Sequence, residues 1–176
     1  MSNTPILGLP VAIGLDGSEY MPLVQGTGSS AVTKRAQTSL VAQLASATAL
    51  PAAIEYVIDG GGGNVPARTF GYLQIPFNAT VTSWDLFADV SGSIIVNVWK
   101  CTYAQFDAGV THPVAGDSIT GTDTPTITSA TKARSTALTG WTTTLAIGDV
   151  LAFNVPSTAT NITRVTLNLQ LSRVVS

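Results

Sequence analysis

Charge is what this sequence has least of. Of its 176 residues only 10% are Asp, Glu, Lys or Arg, eight basic and ten acidic, for a formal net charge of −2. An ordinary soluble domain carries roughly 25%. The basic residues never cluster beyond the pair Lys34-Arg35. That excludes nucleic-acid binding by phosphate neutralisation, which needs several cations on one face. Cys101 is the single cysteine and His112 the single histidine. One cysteine cannot make an internal disulfide, and one Cys with one His cannot close a zinc site. Long apolar runs are missing too. The most apolar stretch, residues 40–54, is interrupted by Gln43, Ser46, Thr48 and Pro51. It is too short and too polar to span a bilayer, so no membrane insertion is expected. The start, Met1-Ser2-Asn3-Thr4-Pro5, lacks the basic residues and apolar run of a signal peptide. A lone thiol and no signal peptide lead to the expectation of assembly in a reducing cytoplasm.

What the chain does have is 45% hydrophobic residues in a background of Thr, Ser, Gly and Ala. A length of 176 residues suffices for one good core plus an extension. A free monomer usually shows more charge to water. A chain that covers much of its surface with copies of itself does not need to, which points to a homo-oligomer, and a homotrimer is the expected form. A neutral extracellular β-domain is the alternative that composition leaves open.

Two regions differ in pattern. Residues 1–52 read as an arm with too few large apolar side chains for a core of its own. Within it, 19–24 alternates as a short strand with Tyr20, Pro22 and Val24 on one side, and Pro22 marks it as an edge or docked strand. Residues 26–30, Gly-Thr-Gly-Ser-Ser, make a turn, and 31–34 return as a hairpin. Thr38 and Ser39 can cap a short helix reaching Ala47, with Leu40, Val41 and Leu44 as its apolar stripe and Pro51 as its stop.

Residues 53–176 read as strands separated by Gly, Pro, Asp and Asn. Candidate strands are 54–59, 69–75, 82–88, 93–100, 125–129, 134–139, 149–155 and 164–175. Residues 59–64 are a loop, Ser91-Gly92 a turn, and 103–107 a single helical turn leading into a long loop. Trp84, Leu86 and Ala88 share one face. Ile94, Val96 and Val98 oppose Ile95 and Trp99 on a strand that reads as apolar on both faces. Residues 164–175 alternate best, Val165, Leu167, Leu169 and Leu171 against Thr166, Asn168, Gln170 and Ser172. About eight such strands with little helix predict a mainly β fold. The expected architecture is an antiparallel β-sandwich or jelly-roll-like C-terminal domain behind an extended N-terminal arm.

Both regions carry a resemblance. Gly8-Leu9-Pro10-Val11-Ala12 is followed by Leu15-Asp16-Gly17-Ser18-Glu19-Tyr20-Met21-Pro22-Leu23-Val24-Gln25-Gly26, and then by Ala31-Val32-Thr33-Lys34-Arg35-Ala36. This resembles the N-terminal segment of tailed-bacteriophage fibre and virion-attached structural proteins, in which an L-x-G-x-E-x-x-P-[LV]-V-Q-G run precedes V-T-K-[RQ] and a short helix. Gly26 to Ser30 lengthens the usual turn. Further on, Trp84-Asp85-Leu86-Phe87-Ala88-Asp89, Val96-Asn97-Val98-Trp99-Lys100, Leu138-Thr139-Gly140-Trp141 and Ile147-Gly148-Asp149-Val150-Leu151-Ala152-Phe153-Asn154-Val155 resemble a β-module near the C-terminus of many phage structural proteins. The resemblance implies a virion part, assembled in the host bacterial cytoplasm, that is a fibre or a decoration protein of head or tail. Its implied partners are its own copies and other virion proteins: capsid, portal or adaptor, or tail. The implied attachment residues are Leu15, Glu19, Tyr20, Pro22, Val24, Val32 and Lys34.

No catalytic arrangement is legible, and no cofactor or metal is expected. His112 sits in a loop with Pro113 and Gly116, away from any activated-serine motif, and reads as an exposed loop residue. Cys101 follows a strand and reads as a small buried hydrophobe. Asp117 and Asp123 share a loop, as a calcium site would need, but lack EF-hand spacing and read as turn residues. The glycines after Asp59 lack the Lys-Ser/Thr of a phosphate loop. Asp85 and Asp89 could form a glycosidase pair, but they oppose Trp84 and Leu86 and read as solvated. Trp99, Tyr103 and Trp141 could form a sugar platform, since aromatic faces stack on pyranose rings; core or subunit packing is the competing reading. The alternative function is therefore a receptor- or carbohydrate-binding module touching a host surface glycan.

Overall fold

The structure is a computed structural model that describes residues 18, 20–25, 32–39, 50–107 and 110–173. The chain divides into two units, one holding Met1–Thr48 and the other Ala49–Val175.

In the first unit, β1 (Tyr20–Gln25) and β2 (Val32–Gln37) form an antiparallel hairpin running from Tyr20 opposite Gln37 to Gln25 opposite Val32. The strand and its return thus lie where the alternation and the Gly-Ser turn signal put them. Pro22 is tolerated because a two-stranded ribbon has only edges. Thr38 and Ser39 are helical, and the rest of the expected helix, 40–47, lies outside the described residues.

The second unit is mainly β and wholly antiparallel. It contains β3 (Leu50–Asp59), β4 (Arg68–Gln74), β5 (Ala79–Ile95), β6 (Asn97–Cys101), β7 (Thr126–Ser135), β8 (Thr144–Leu145), β9 (Val150–Val155) and β10 (Arg164–Arg173). One sheet has the order β3-β10-β5-β7, with β8 beside the start of β5; the other has the order β4-β9-β6. The alternation in β10 is realised in full: Val165, Leu167, Leu169 and Leu171 are buried and face the core. They meet Ile54 and Ile58 of β3 and Trp84 and Leu86 of β5 in one cluster with Val98, Leu151, Phe153 and Val155 of the second sheet. Tyr56 crosses from the first sheet to stack on Phe153, ring centroids 4.1 Å apart. Its hydroxyl lies so close to Gly71 of β4 that a Cβ there would sit 2.1 Å from it. The chain changes sheet at Val96, whose N–H donates to the Pro125 carbonyl (2.9 Å).

Several expectations need correction. Ser91-Gly92 is not a turn: β5 runs through it for 17 residues. Gly92 is there because the Thr160 carbonyl lies where its Cβ would be. Residues 125–129 and 134–139 are not two strands: one strand, β7, runs from Thr126 to Ser135, irregular near Ser129 (φ 47°), and 136–139 lie outside it. Pro51, expected to follow a helix, lies inside β3, opposite Ser172, on an edge strand where a missing N–H costs little. Residues 93–100 are not one strand buried on both faces: they divide at Val96 between the end of β5 and β6, with Ile95 exposed and Trp99 half-buried. In β9, conversely, Val150 and Ala152 are buried along with Leu151, Phe153 and Val155, so that strand is covered on both sides. Residues 103–107 form successive turns rather than a helix.

Candidate functional site

Of the attachment residues implied by the resemblance, Tyr20, Pro22, Val24, Val32 and Lys34 fall on the hairpin. Tyr20 lies at the start of β1 with the Arg35 guanidinium 4.7 Å above its ring, and the Gln37 side-chain amide donates to its hydroxyl (3.3 Å). Pro22 stands opposite Arg35 and is exposed, and Val24 pairs with Thr33 through the backbone. Val32 and Lys34 are exposed on β2. Leu15 and Glu19 lie outside the described residues. Tyr20, Met21 and Val32 are exposed large apolar side chains, and a two-stranded ribbon alone is at best marginally stable in water.

The three aromatics of the expected platform do not make one. Trp141 is a core residue, its indole N–H donating to the Asp123 carbonyl (2.9 Å). Tyr103 is exposed in the turn after β6. Trp99 faces outward from the three-stranded sheet opposite Ala152, which has Tyr72 on its other side. Phe106 packs edge-on against Tyr72, ring centroids 4.9 Å apart. That brings the turn after β6 against Tyr72, the neighbour of Ala152.

The carboxylates are used in the fold. Asp85 is not solvated: it is 3% exposed. Arg134, opposite it on β7, donates its Nε–H to the carboxylate. Asp89 is exposed and accepts the Thr163 N–H (3.2 Å) and hydroxyl; the hydroxyl above all holds its carboxyl below the usual value. Asp123 accepts the Ser135 hydroxyl (2.6 Å) and the Leu138 N–H (3.0 Å). Asp149 accepts from Lys100 (2.9 Å) and from the Ala146 N–H (2.9 Å), closing the turn before β9. Asp117 accepts from the Val114 N–H and lies against His112 Nδ1, both at 2.8 Å. Burial pushes the Asp117 carboxyl up, but those two hydrogen bonds and the His112 charge together hold it below the usual value. His112 is therefore a half-buried, engaged residue rather than a free loop side chain. Asp117 and Asp123 serve separate turns, and no group of three or more metal-ligating side chains occurs among the described residues.

No family model matches the chain, and no curated protein does. Among solved structures it aligns with RmlC from Streptococcus suis in complex with dTDP-D-xylose, at 11% identity and a TM-score of 0.21. The alignment covers 86% of this chain and 61% of that one. A likeness that weak carries no argument about what this chain does.

Sequence reasoning missed the outer face of the β3-β10-β5-β7 sheet. Pairing there lines up Glu55, Asn168, Asp85 and Arg134 in one row across four strands, and Val57, Thr166, Phe87 and Lys132 in the next. The Asn168 amide donates to Glu55 (3.1 Å). Phe87 and Val57 are both about half exposed. Each residue is unremarkable alone. Only the register between β5 and β7, some 45 residues apart, brings Asp85 and Phe87 to Arg134 and Lys132.

Proposed function

We propose that the chain is a bacteriophage virion structural protein, a fibre or a decoration protein, which joins capsid or tail through its N-terminal arm and presents the β-sandwich as a body or knob. It acts as a homotrimer, not as an enzyme. The observation that supports the reading is the hairpin: it carries Tyr20, Pro22, Val24, Val32 and Lys34 of the resembling segment on two paired strands and exposes Tyr20, Met21 and Val32. Such a ribbon needs a partner surface to be stable. The non-enzymatic reading draws support from the one cysteine. Burial pushes the Cys101 thiol up, and the charges of Asp117 and Asp149 push it further, away from the thiolate that a nucleophile needs.

The test uses the phage that carries the gene. Full-length chain and a chain lacking residues 1–48 are tagged, produced during infection, and sought in purified particles. The full-length chain is expected in the particles and the truncated one outside them, with its sandwich folded. Normal incorporation of the truncated chain would remove attachment from the arm. Absence of the full-length chain from particles would end the virion reading. Sedimentation equilibrium is expected to give about 54 kDa, three times 18.1 kDa.

A further inference from the structure

The outer face of the β3-β10-β5-β7 sheet holds a cavity of about 370 Å³ lined by Asp85, Phe87, Lys132, Ala133 and Arg134. That is a small ligand site by size. Its chemistry is unlike the rest of the sandwich. Within the sandwich, Lys100, Arg134 and Arg164 are paired with carboxylates, and Arg68 and Arg173 lie over the rings of Phe70 and Phe77. Of the described basic residues of the sandwich, Lys132 alone has neither kind of partner, and it is exposed. It stands opposite Phe87, whose ring is half exposed.

Asp85 explains the rest of the geometry. A buried carboxylate is costly unless it is paired. Here it is paired through Arg134 Nε, while 71% of the Arg134 side chain stays open to solvent. One edge of the guanidinium is thus anchored, and its terminal N–H groups are left to donate outward. An anchored fork beside a free ammonium suits an anionic oxygen group. Two cations against one carboxylate leave the cavity a net charge of +1 in a chain whose own net charge is −2. Phe87 adds a flat apolar surface of the kind that stacks on a pyranose ring. Thr166, beside Phe87 on β10, offers a hydroxyl to the substituents of such a ring.

We infer that this cavity binds an acidic saccharide, its ring on Phe87 and its carboxylate or phosphate between Lys132 and Arg134. The site lies on the sandwich, apart from the arm, and binding by the purified chain is read without any particle. Its failure therefore leaves the attachment reading standing.

The test titrates full-length protein with methyl glucuronide, glucose 1-phosphate and methyl glucoside, followed by ligand-observed NMR and calorimetry. The first two probes distinguish a carboxylate from a phosphate as the anion. For a ligand of about 14 non-hydrogen atoms, ordinary ligand efficiency corresponds to a Kd of about 1 mM. At least one acidic probe is expected to bind near that value and at least tenfold more tightly than methyl glucoside, with affinity falling as salt is added. Lys132→Ala is expected to remove the acid preference and Phe87→Ala to remove binding, both variants keeping the wild-type unfolding midpoint within about 2 °C. Arg134→Lys, which keeps the charge and loses the fork, is expected to weaken acid binding at least threefold. No binding by either acidic probe up to about 20 mM, equal binding of the neutral probe, or unchanged binding by Lys132→Ala would each overturn the site. So would a Phe87→Ala chain that sediments at a lower mass than wild type, because a second copy would then be covering this face.

Discussion

Replacing Gly92 by alanine tests whether β5 passes through Ser91-Gly92 or turns there. In the structure a Cβ on Gly92 would stand 2.0 Å from the Thr160 carbonyl oxygen and 2.8 Å from Ile162 Cγ1. Cβ contacts under 3.0 Å essentially do not occur, so the Thr160 oxygen must retreat by about 1 Å or more. That oxygen accepts the Ser93 N–H (3.0 Å), and Thr160 returns its own N–H to the Ser93 carbonyl (2.9 Å). The retreat breaks this two-bond bridge, at about 0.5–1.5 kcal/mol per bond. Ile162 is fully buried and must shift within a packed core, an overpacking cost of about 1–3 kcal/mol. Together Gly92→Ala is expected to destabilise by about 2–6 kcal/mol, which for a chain of this length lowers Tm by about 2–4 °C per kcal/mol. Gly116→Ala is the control: nothing lies within 4 Å of its Cβ position, and it is expected to stay within about 0.5 kcal/mol of wild type. Thermal and urea unfolding of the full-length variants decide the matter. If Gly92→Ala matches Gly116→Ala, residues 91–92 form a solvent-exposed turn and the course of β5 is wrong.

Three further outcomes follow from the same geometry. Leu167→Ala and Leu169→Ala, each fully buried, should cost about 2–5 kcal/mol by urea denaturation, and an effect under about 0.5 kcal/mol would invert the facing of β10. Deleting residues 1–48 should leave the unfolding midpoint of the sandwich in place, whereas deleting 1–52 removes the pairing of Leu50, Pro51 and Ala52 with Arg173, Ser172 and Leu171 and should cost about 1–3 kcal/mol; equal midpoints would show that β3 starts later. Asp117 titrates below its unfolded value, so its contribution to stability is complete above about pH 4 and is lost as pH falls through the folded value. Asp117→Asn should flatten the acid limb of a stability–pH profile measured from about pH 6 to pH 2, and an unchanged limb would refute the role of the Val114 and His112 contacts.

The parts of the fold legible in the sequence are those where one face of a strand meets water. In β10 a leucine or valine alternates with a polar residue because the antiparallel sheet is covered on one side only, and period two survives into the structure without error. The hairpin was legible for a similar reason: five turn-forming residues stand between two short alternating runs. Where tertiary contacts overrode local chemistry, reading failed. Ser91-Gly92 is a turn dipeptide by propensity, yet the glycine is needed for the close approach of the Thr160 backbone. The middle of β7, Ala130-Thr131-Lys132-Ala133, has no apolar period and so reads as a break. It pairs because β5 supplies Asp85 and Phe87 opposite its cations.

The same limit governs the candidate sites. Aromatic residues are countable in a sequence, but their exposure depends on what covers them. Trp141 follows Gly140 in a run of threonines and reads equally as a sugar-platform aromatic or as core or subunit packing. It is buried because its indole N–H finds the Asp123 carbonyl across the Asp123–Leu138 turn contact. Trp99 reads as part of a strand apolar on both faces, but it is only half-buried, on the side of the sheet opposite to Val98. Phe87 sits two residues from Asp85 in a run whose strong signal is the buried pair Trp84 and Leu86, so it reads as incidental. It is open because the sheet row that contains it ends in Val57 and Lys132, neither of which covers it. An aromatic left exposed beside an uncommitted cation, over a buried carboxylate, is a product of register. No spacing within the sequence encodes the pairing of residues 85 and 87 with 134 and 132; it has to be read from the fold.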